Sequence, residues 1–125
     1  MSVVYDAGAL IAAERSDREV WADHRVRLEL GLVPVTTAPV VAQVSRSGRQ
    51  AQLRRLLRGC EVASFGSDEA HDVGALAGRT KVADVVDVHV VVTAHRRSFG
   101  VVTSDVGDLQ PIADVLRPRV RLFGV

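Results

Sequence analysis

Four aspartates stand at the turning points of this chain: Asp6 directly after Ser2-Val3-Val4-Tyr5, Asp84 and Asp87 at the head of a valine-rich run, and Asp105 after Phe99-Gly100-Val101-Val102-Thr103. Carboxylates are costly to gather without a compensating cation, so three or more of them converging argue for a hard divalent metal. An oxygen-only set suits Mg²⁺, with Mn²⁺ a ready substitute. Such an ion acidifies water and offsets negative charge on a reacting group.

Each acid also has a simpler use. Asp6, Asp84 and Asp105 all sit where a helix begins and are good capping residues. Asp87 is harder to explain that way, because it lies one turn into an apolar helix, where an uncompensated buried carboxylate costs several kcal/mol. Other chemistries lack their signatures. His24, His71, His89 and His95 show no zinc-like spacing with Cys60, and each reads as a surface or satisfied core residue. There is no Gly-x-Ser-x-Gly elbow and no Gly-x-x-x-x-Gly-Lys phosphate loop.

The elements that must position these groups alternate. Ser2 to Tyr5 reads as a buried strand and Ala7 to Glu14 as the helix that follows it. Asp17 caps a helix ending near Gly31, with Trp21 and Leu28 seven apart on one face. Leu32 to Thr36 is a second strand, followed by a helix from Ala38 through Val44 with Pro39 in its first turn. Ser47-Gly48 breaks it, and Arg49 to Arg58 forms a helix burying Leu53, Leu56 and Leu57 and stopping at Gly59. Glu61 to Ser64 is a weak strand, and Ser67-Asp68-Glu69 opens a helix reaching about Gly78. From Asp84 to His95 the run is valine-rich enough for a strand, but too long for one, so it is assigned to helix. Phe99 to Thr103 is a strand, Ser104-Asp105 starts a helix or turn, Asp108 to Ile112 starts another helix, and Val120 to Val125 closes the chain as a strand.

Strands alternating with helices predict an α/β domain with a mainly parallel sheet of four to five strands covered on both faces, and ligand sites lie beyond the strands' carboxyl ends. Asp6 and Asp105 both follow strands, so both emerge at that edge. Asp84 and Asp87 are three apart on one helical face and reach the same edge if their helix begins there.

The 125 residues are enough for one domain and too few for two. With 47% hydrophobic and 25% charged residues, a globular interior of aliphatics is expected. A net charge of +1 does not by itself mark a nucleic-acid binder. The positive charge is nevertheless concentrated: Arg46, Arg49, Arg54, Arg55 and Arg58 crowd one segment, either as a grip for phosphate or carboxylate or as a solvated helix face. Cys60 is the lone cysteine, which suits a reducing compartment. No apolar run has membrane-spanning length and no basic leader precedes one, so a cytoplasmic protein is expected.

Three stretches carry a family resemblance: Val3-Val4-Tyr5-Asp6-Ala7-Gly8-Ala9-Leu10-Ile11-Ala12, Val82-Ala83-Asp84-Val85-Val86-Asp87-Val88-His89-Val90-Val91, and Gly100-Val101-Val102-Thr103-Ser104-Asp105-Val106-Gly107-Asp108-Leu109. In order and spacing the chain resembles, over essentially residues 1–125, a PIN domain of the kind found in the ribonuclease toxin of VapBC-type toxin–antitoxin pairs. The resemblance implies a single three-layer PIN-like domain. It makes Asp6, Asp87 and Asp105 the metal-binding and catalytic acids, Asp108 an additional acid, and Asp84 an extra one of less defined role. Thr103 and Ser104 match a polar pair that positions the attacking water or the phosphate.

One position departs from the family. Its second acid, usually Glu in the helix after the second strand, aligns with Gln43, which keeps a carbonyl oxygen but loses the charge. A unit charge about 4 Å from another is worth about 4 kcal/mol at an effective dielectric of 20, before solvent screening. Metal affinity is therefore expected to be weaker unless Asp84 or Asp108 replaces that charge. The resemblance implies an Mg²⁺-dependent endoribonuclease leaving 5′-phosphate and 3′-hydroxyl ends, a small VapB-type antitoxin that neutralises it, and a homodimer. Arginines from the Arg46 to Arg58 segment, or Arg96 and Arg97, would hold RNA phosphates. The alternative is a PIN-like domain crippled at Gln43 that binds antitoxin or RNA without cutting. A metal-dependent DNA nuclease or phosphatase would use the same acids.

Overall fold

β-Branched runs at Val3–Tyr5, Val35–Thr37 and Gly100–Thr103 form the middle of a sheet because their side chains are buried on both faces, as central parallel strands require. The computed structural model describes residues 1–125. In chain order the elements are β1 Val3–Tyr5, α1 Ala7–Glu14, α2 Arg18–Glu29, β2 Val35–Thr37, α3 Ala38–Val44, α4 Ala51–Arg58, β3 Glu61–Ala63, α5 Ser67–Thr80, α6 Val85–Arg97, β4 Gly100–Thr103, α7 Val106–Val115 and β5 Leu122–Gly124. The strands run in the order β3-β2-β1-β4-β5, and every pairing is parallel. Helix α1 packs with α2, α3 and α4, while α5, α6 and α7 pack on one another and α6 lies over β1, β2 and β4. The result is the expected three-layer α/β domain.

Strand order decides where a site can form. The chain moves outward from β1 through β2 to β3, then returns to place β4 on the other side of β1. The crevice between the carboxyl ends of β1 and β4 is thus the switch point of the sheet, where open α/β sheets bind ligands. Register pairs Tyr5 with Val102, so the residues after each strand emerge side by side.

Helix α6 is the structural reason that the valine-rich run is not a strand. Val88, Val90, Val91, Val92 and Ala94 are all buried, because α6 is covered by the sheet on one side and by α5 and α7 on others. A helix apolar nearly all round belongs in an interior.

The structure moves several expected boundaries. The second strand is Val35–Thr37 rather than Leu32 to Thr36, and Thr37 caps α3 by accepting the Val40 amide at 3.3 Å. Helix α5 is entered from Gly66, whose amide is taken by Glu69 at 3.1 Å, and it runs to Thr80. Along α2 the buried residues are Val20 and His24, with Trp21 half-buried and Leu28 exposed, so the expected Trp21–Leu28 face is displaced by one position. Two helix starts were expected after β4, but α7 is one helix with Pro111 inside it. Leu109, Ile112 and Ala113 are fully buried on its inner face. Burying two large aliphatics contributes roughly 3–6 kcal/mol, enough to offset the ~3 kcal/mol of an interior proline.

Candidate functional site

Asp6 ends β1. Its amide bonds Val102 O of β4 at 2.9 Å, which fixes its backbone against the neighbouring strand. The residue is 3% exposed, and its carboxylate makes no capping bond to α1. Instead, Thr103 Oγ1 donates to Asp6 Oδ2 at 2.9 Å. The same Thr103 oxygen accepts the Asp105 amide at 2.9 Å. One buried hydroxyl therefore ties together the turns after β1 and β4.

Asp105 occupies the cap position of α7 but likewise makes no side-chain capping bond. The capping explanation holds for Asp84 alone, whose Oδ1 accepts the amides of Val86 at 2.9 Å and Asp87 at 3.4 Å. Asp87 stands in the first turn of α6 and Asp108 in the first turn of α7, so both helices point positive ends toward the acids.

Electrostatics shows which acids share a neighbourhood. Burial, reinforced by the charges of Asp84, Asp6, Asp105 and Asp108, pushes the Asp87 carboxyl up to about 6. Burial also raises Asp6, against the opposing pull of the Ala7 amide and the Thr103 hydroxyl, and Asp105 and Asp84 add to the rise. The other four aspartates singled out from sequence therefore all act on Asp87, and two of them also on Asp6, at the carboxyl edge of β1 and β4. No three His, Cys, Asp or Glu side chains stand together at metal-holding spacing. The acids make a common field rather than a closed ligand set. Their donor chemistry still fits a hard divalent ion: every group is a carboxylate, and the charge crowding on Asp87 is what a cation relieves.

Ser104 is exposed beside the first turn of α1. Gly8 lies directly against it: a Cβ there would fall 2.2 Å from Ser104 Oγ and 2.7 Å from Ser104 N. In the sequence Gly8 shows only as a residue that weakens the Ala7 to Glu14 helix. The signal was a glycine within Ala7-Gly8-Ala9, where alanine would be the better helix former.

Other expected participants make no hydrogen bond or ion pair with the acids. Gln43 is exposed on α3, and no hydrogen bond links it to the acids. Arg96 and Arg97 lie at the opposite end of α6 from Asp84, about 18 Å away along a helix rising 1.5 Å per residue. They are engaged there, Arg96 with Glu69 at 3.2 Å and Arg97 with Glu61 at 2.6 Å, and so are not free to hold RNA beside the acids. In the other arginine segment, Arg46 and Arg54 turn back onto the carbonyls of Ser45 and Gly48. The histidines form no ligand cluster. His89 is fully buried against Phe65, bonds Glu69 through Nε2 at 3.0 Å and leaves Nδ1 without a partner, so it is only half satisfied. The larger clefts lie away from the acids, one of about 490 Å³ near Phe99 and Phe123 and one of about 690 Å³ between α2 and α4.

Fold and site define a doubly wound parallel α/β domain carrying an acidic crevice at its switch point. No protein-family profile matches the chain, and no curated protein matches it in sequence. Its structure is similar to a chain of a toxin–antitoxin complex from Klebsiella pneumoniae, with a TM-score of 0.68 and 18% identity over 95% of this chain and 99% of that one. At that identity the likeness shows a shared fold.

Proposed function

We propose that this chain is the toxin of a toxin–antitoxin pair and acts as a divalent-metal-dependent endoribonuclease of the PIN-domain kind. The observation that carries the reading is the Asp6–Thr103–Asp105 linkage at the switch point, with Asp87 drawn into the same field. Asp6, Asp87 and Asp105 would hold the ion, with Asp84 and Asp108 adding negative charge nearby. Bound there, Mg²⁺ or Mn²⁺ would supply positive charge to the scissile phosphate and acidify the attacking water.

The chain's own groups prepare that crevice. Thr103 fixes the rotamer of Asp6, so the carboxylate is preorganised rather than free to turn into solvent. Exposed Ser104 would offer its hydroxyl to a phosphate oxygen there. Without a cation the aspartates repel a polyanion, so metal should strengthen RNA binding as well as cutting. The partners on this reading are RNA, a VapB-type antitoxin and a second copy of the chain, in the cytoplasm. No helix is long and apolar enough to cross a membrane.

The test is cleavage of a fluorogenic RNA with Mg²⁺, with Mn²⁺ and with chelator, beside matched DNA and small phosphoesters. Metal-dependent RNA cleavage lost in Asp6→Asn and Asp87→Asn upholds the reading, and normal rates in either variant overturn it. Exposed Gln43 and the open spacing of the acids favour one second reading, a catalytically impaired domain that binds antitoxin or RNA. That domain would bind without cutting.

A further inference from the structure

Helices α2 and α4 enclose a cleft of about 690 Å³ that shares no residue with the aspartates. Arg25, Arg55 and Arg58 line it, and none of the three forms an ion pair within the chain. Glu29 is the acidic group on its wall. Arg55 is held in place by stacking on Trp21, its guanidinium carbon 4.4 Å from the ring centroid, and by Nη1 donating to Gln52 Oε1 at 3.3 Å, which leaves its remaining in-plane N–H groups available.

The floor of the cleft is a buried donor. His24 is 3% exposed, and its Nδ1 lies 2.8 Å from Tyr5 Oη. Arg27 can only donate, and its Nη1 reaches the same hydroxyl at 3.1 Å. Tyr5 accepts from Arg27, and because His24 Nδ1 is the one acceptor beside its own buried hydrogen, the tautomer that satisfies both groups has Tyr5 donating to Nδ1. In the neutral imidazole the remaining proton then sits on Nε2, which has no partner in the chain. Burial and the charges of Arg27 and Arg55 lower the proton affinity of His24, keeping it in this neutral form.

Gly59 keeps that nitrogen reachable. Its φ of −92° suits any residue, so the missing side chain is a matter of space: a Cβ would lie 2.9 Å from His24 Nε2 and 3.1 Å from Leu28 Cδ1. Three guanidinium groups without a carboxylate partner and an imidazole N–H thus line a space kept open by glycine. We propose that this cleft binds a phosphate-bearing ligand, a nucleotide or the backbone of RNA. Phosphate presents several acceptor oxygens to a donor-only surface, and Arg forks match it in pairs. An acidic peptide fits less well, because Trp21 and Leu28 are the cleft's only apolar lining and Arg55 already covers the indole.

The site stands independently of nuclease activity. Trp21, the single tryptophan, is a built-in reporter on its wall. The full chain, kept in chelator so that no RNA is consumed, is titrated with a short unstructured RNA, with AMP and with inorganic phosphate while Trp21 emission is followed. Saturable binding is expected, weakened at least about tenfold in Arg25→Ala/Arg58→Ala and in Gly59→Ala with thermal melting unchanged. It should persist in Asp6→Asn. Binding of RNA alone identifies backbone phosphate, and comparable binding of AMP identifies a free phosphate ester. The proposal is overturned if none of the three probes binds, if the double arginine variant binds as well as wild type, or if poly-glutamate binds at least as tightly as RNA.

Discussion

Thr103 donates to Asp6 across 97 positions of sequence, through a hydrogen bond of 2.9 Å inside the core. The threonine is fully buried and also accepts the Asp105 amide, so its hydroxyl is shared by both acid-bearing turns. Thr103→Val keeps the shape, deletes both bonds and leaves two polar groups unpaired, which should cost about 1–3 kcal/mol in urea denaturation. RNA cleavage should fall more than stability alone explains, because Asp6 loses the contact that fixes its rotamer. Thr103→Ser should restore most of both. Full cleavage by the valine variant would show that Asp6 does not depend on this contact.

Gly8 provides a second handle on the same crevice. A methyl group there would collide with Ser104, including its backbone nitrogen, which cannot swing aside as a flexible side chain can. In solvent, Gly8→Ala would favour the helix by about 1 kcal/mol. Here the turn carrying Ser104 and Asp105 must move instead. The expected result is lower cleavage with little change in the stability of the rest of the fold, read by activity alongside circular dichroism melting. Gly8→Ala with unchanged kinetics would mean that this turn can shift without consequence.

The alternation of elements is legible because the central strands are short β-branched runs and helix starts carry recognisable residues, such as Asp17 capping α2 and Pro39 in the first turn of α3. The separate helix start at Asp108 to Ile112 is absorbed into α7, because burial of Leu109 and Ile112 carries the helix through Pro111, and burial depends on tertiary packing that spacing alone does not encode. Of the site, Asp6 and Asp105 could be placed from strand ends and Asp87 from its awkward position in an apolar helix. The Thr103 linkage was visible only as a polar pair beside an acid. Gly8 could not be recognised, because its meaning lies in Ser104, almost a hundred residues away. A role for Arg96 and Arg97 in holding RNA beside the acids does not survive the fold, which sends them to the far end of α6 and pairs them with Glu69 and Glu61.

Gln43→Glu separates an active nuclease from an impaired one. Gln43 is solvent-exposed on α3 and free of hydrogen bonds to the acids, so the substitution should leave folding stability within about 0.5 kcal/mol. If the crevice lacks a carboxylate, the added charge should tighten Mn²⁺ binding, measured by calorimetry, and raise cleavage about tenfold or more. If Asp84 and Asp108 already supply the charge, both quantities should stay within twofold of wild type. Tighter metal binding without any cleavage would favour the binding-protein reading.

Asp87 should destabilise the metal-free protein at neutral pH. Its carboxyl is raised from 3.8 to about 6, by burial first and then by Asp84, Asp6, Asp105 and Asp108. Below pH 4 it is protonated in both folded and unfolded chains and contributes little. Between roughly pH 4 and 6 the folded chain keeps a proton that the unfolded chain releases, so stability falls as pH rises, and above that range the whole penalty is present. Because the carboxyl is only half-buried, solvent screening should reduce the penalty to about 1–2 kcal/mol. Asp87→Asn should therefore be the more stable protein in urea at pH 7.5 without metal, nearly equal to wild type at pH 4, and inactive at both. Adding Mg²⁺ at pH 7.5 should raise the wild-type melting temperature and move the variant much less, since a cation that binds only the folded state stabilises in proportion to its affinity. An asparagine variant less stable than wild type at pH 7.5 would instead mean that the ionised carboxylate has a partner in the fold, and the electrostatic argument for a metal at this crevice would lose its basis.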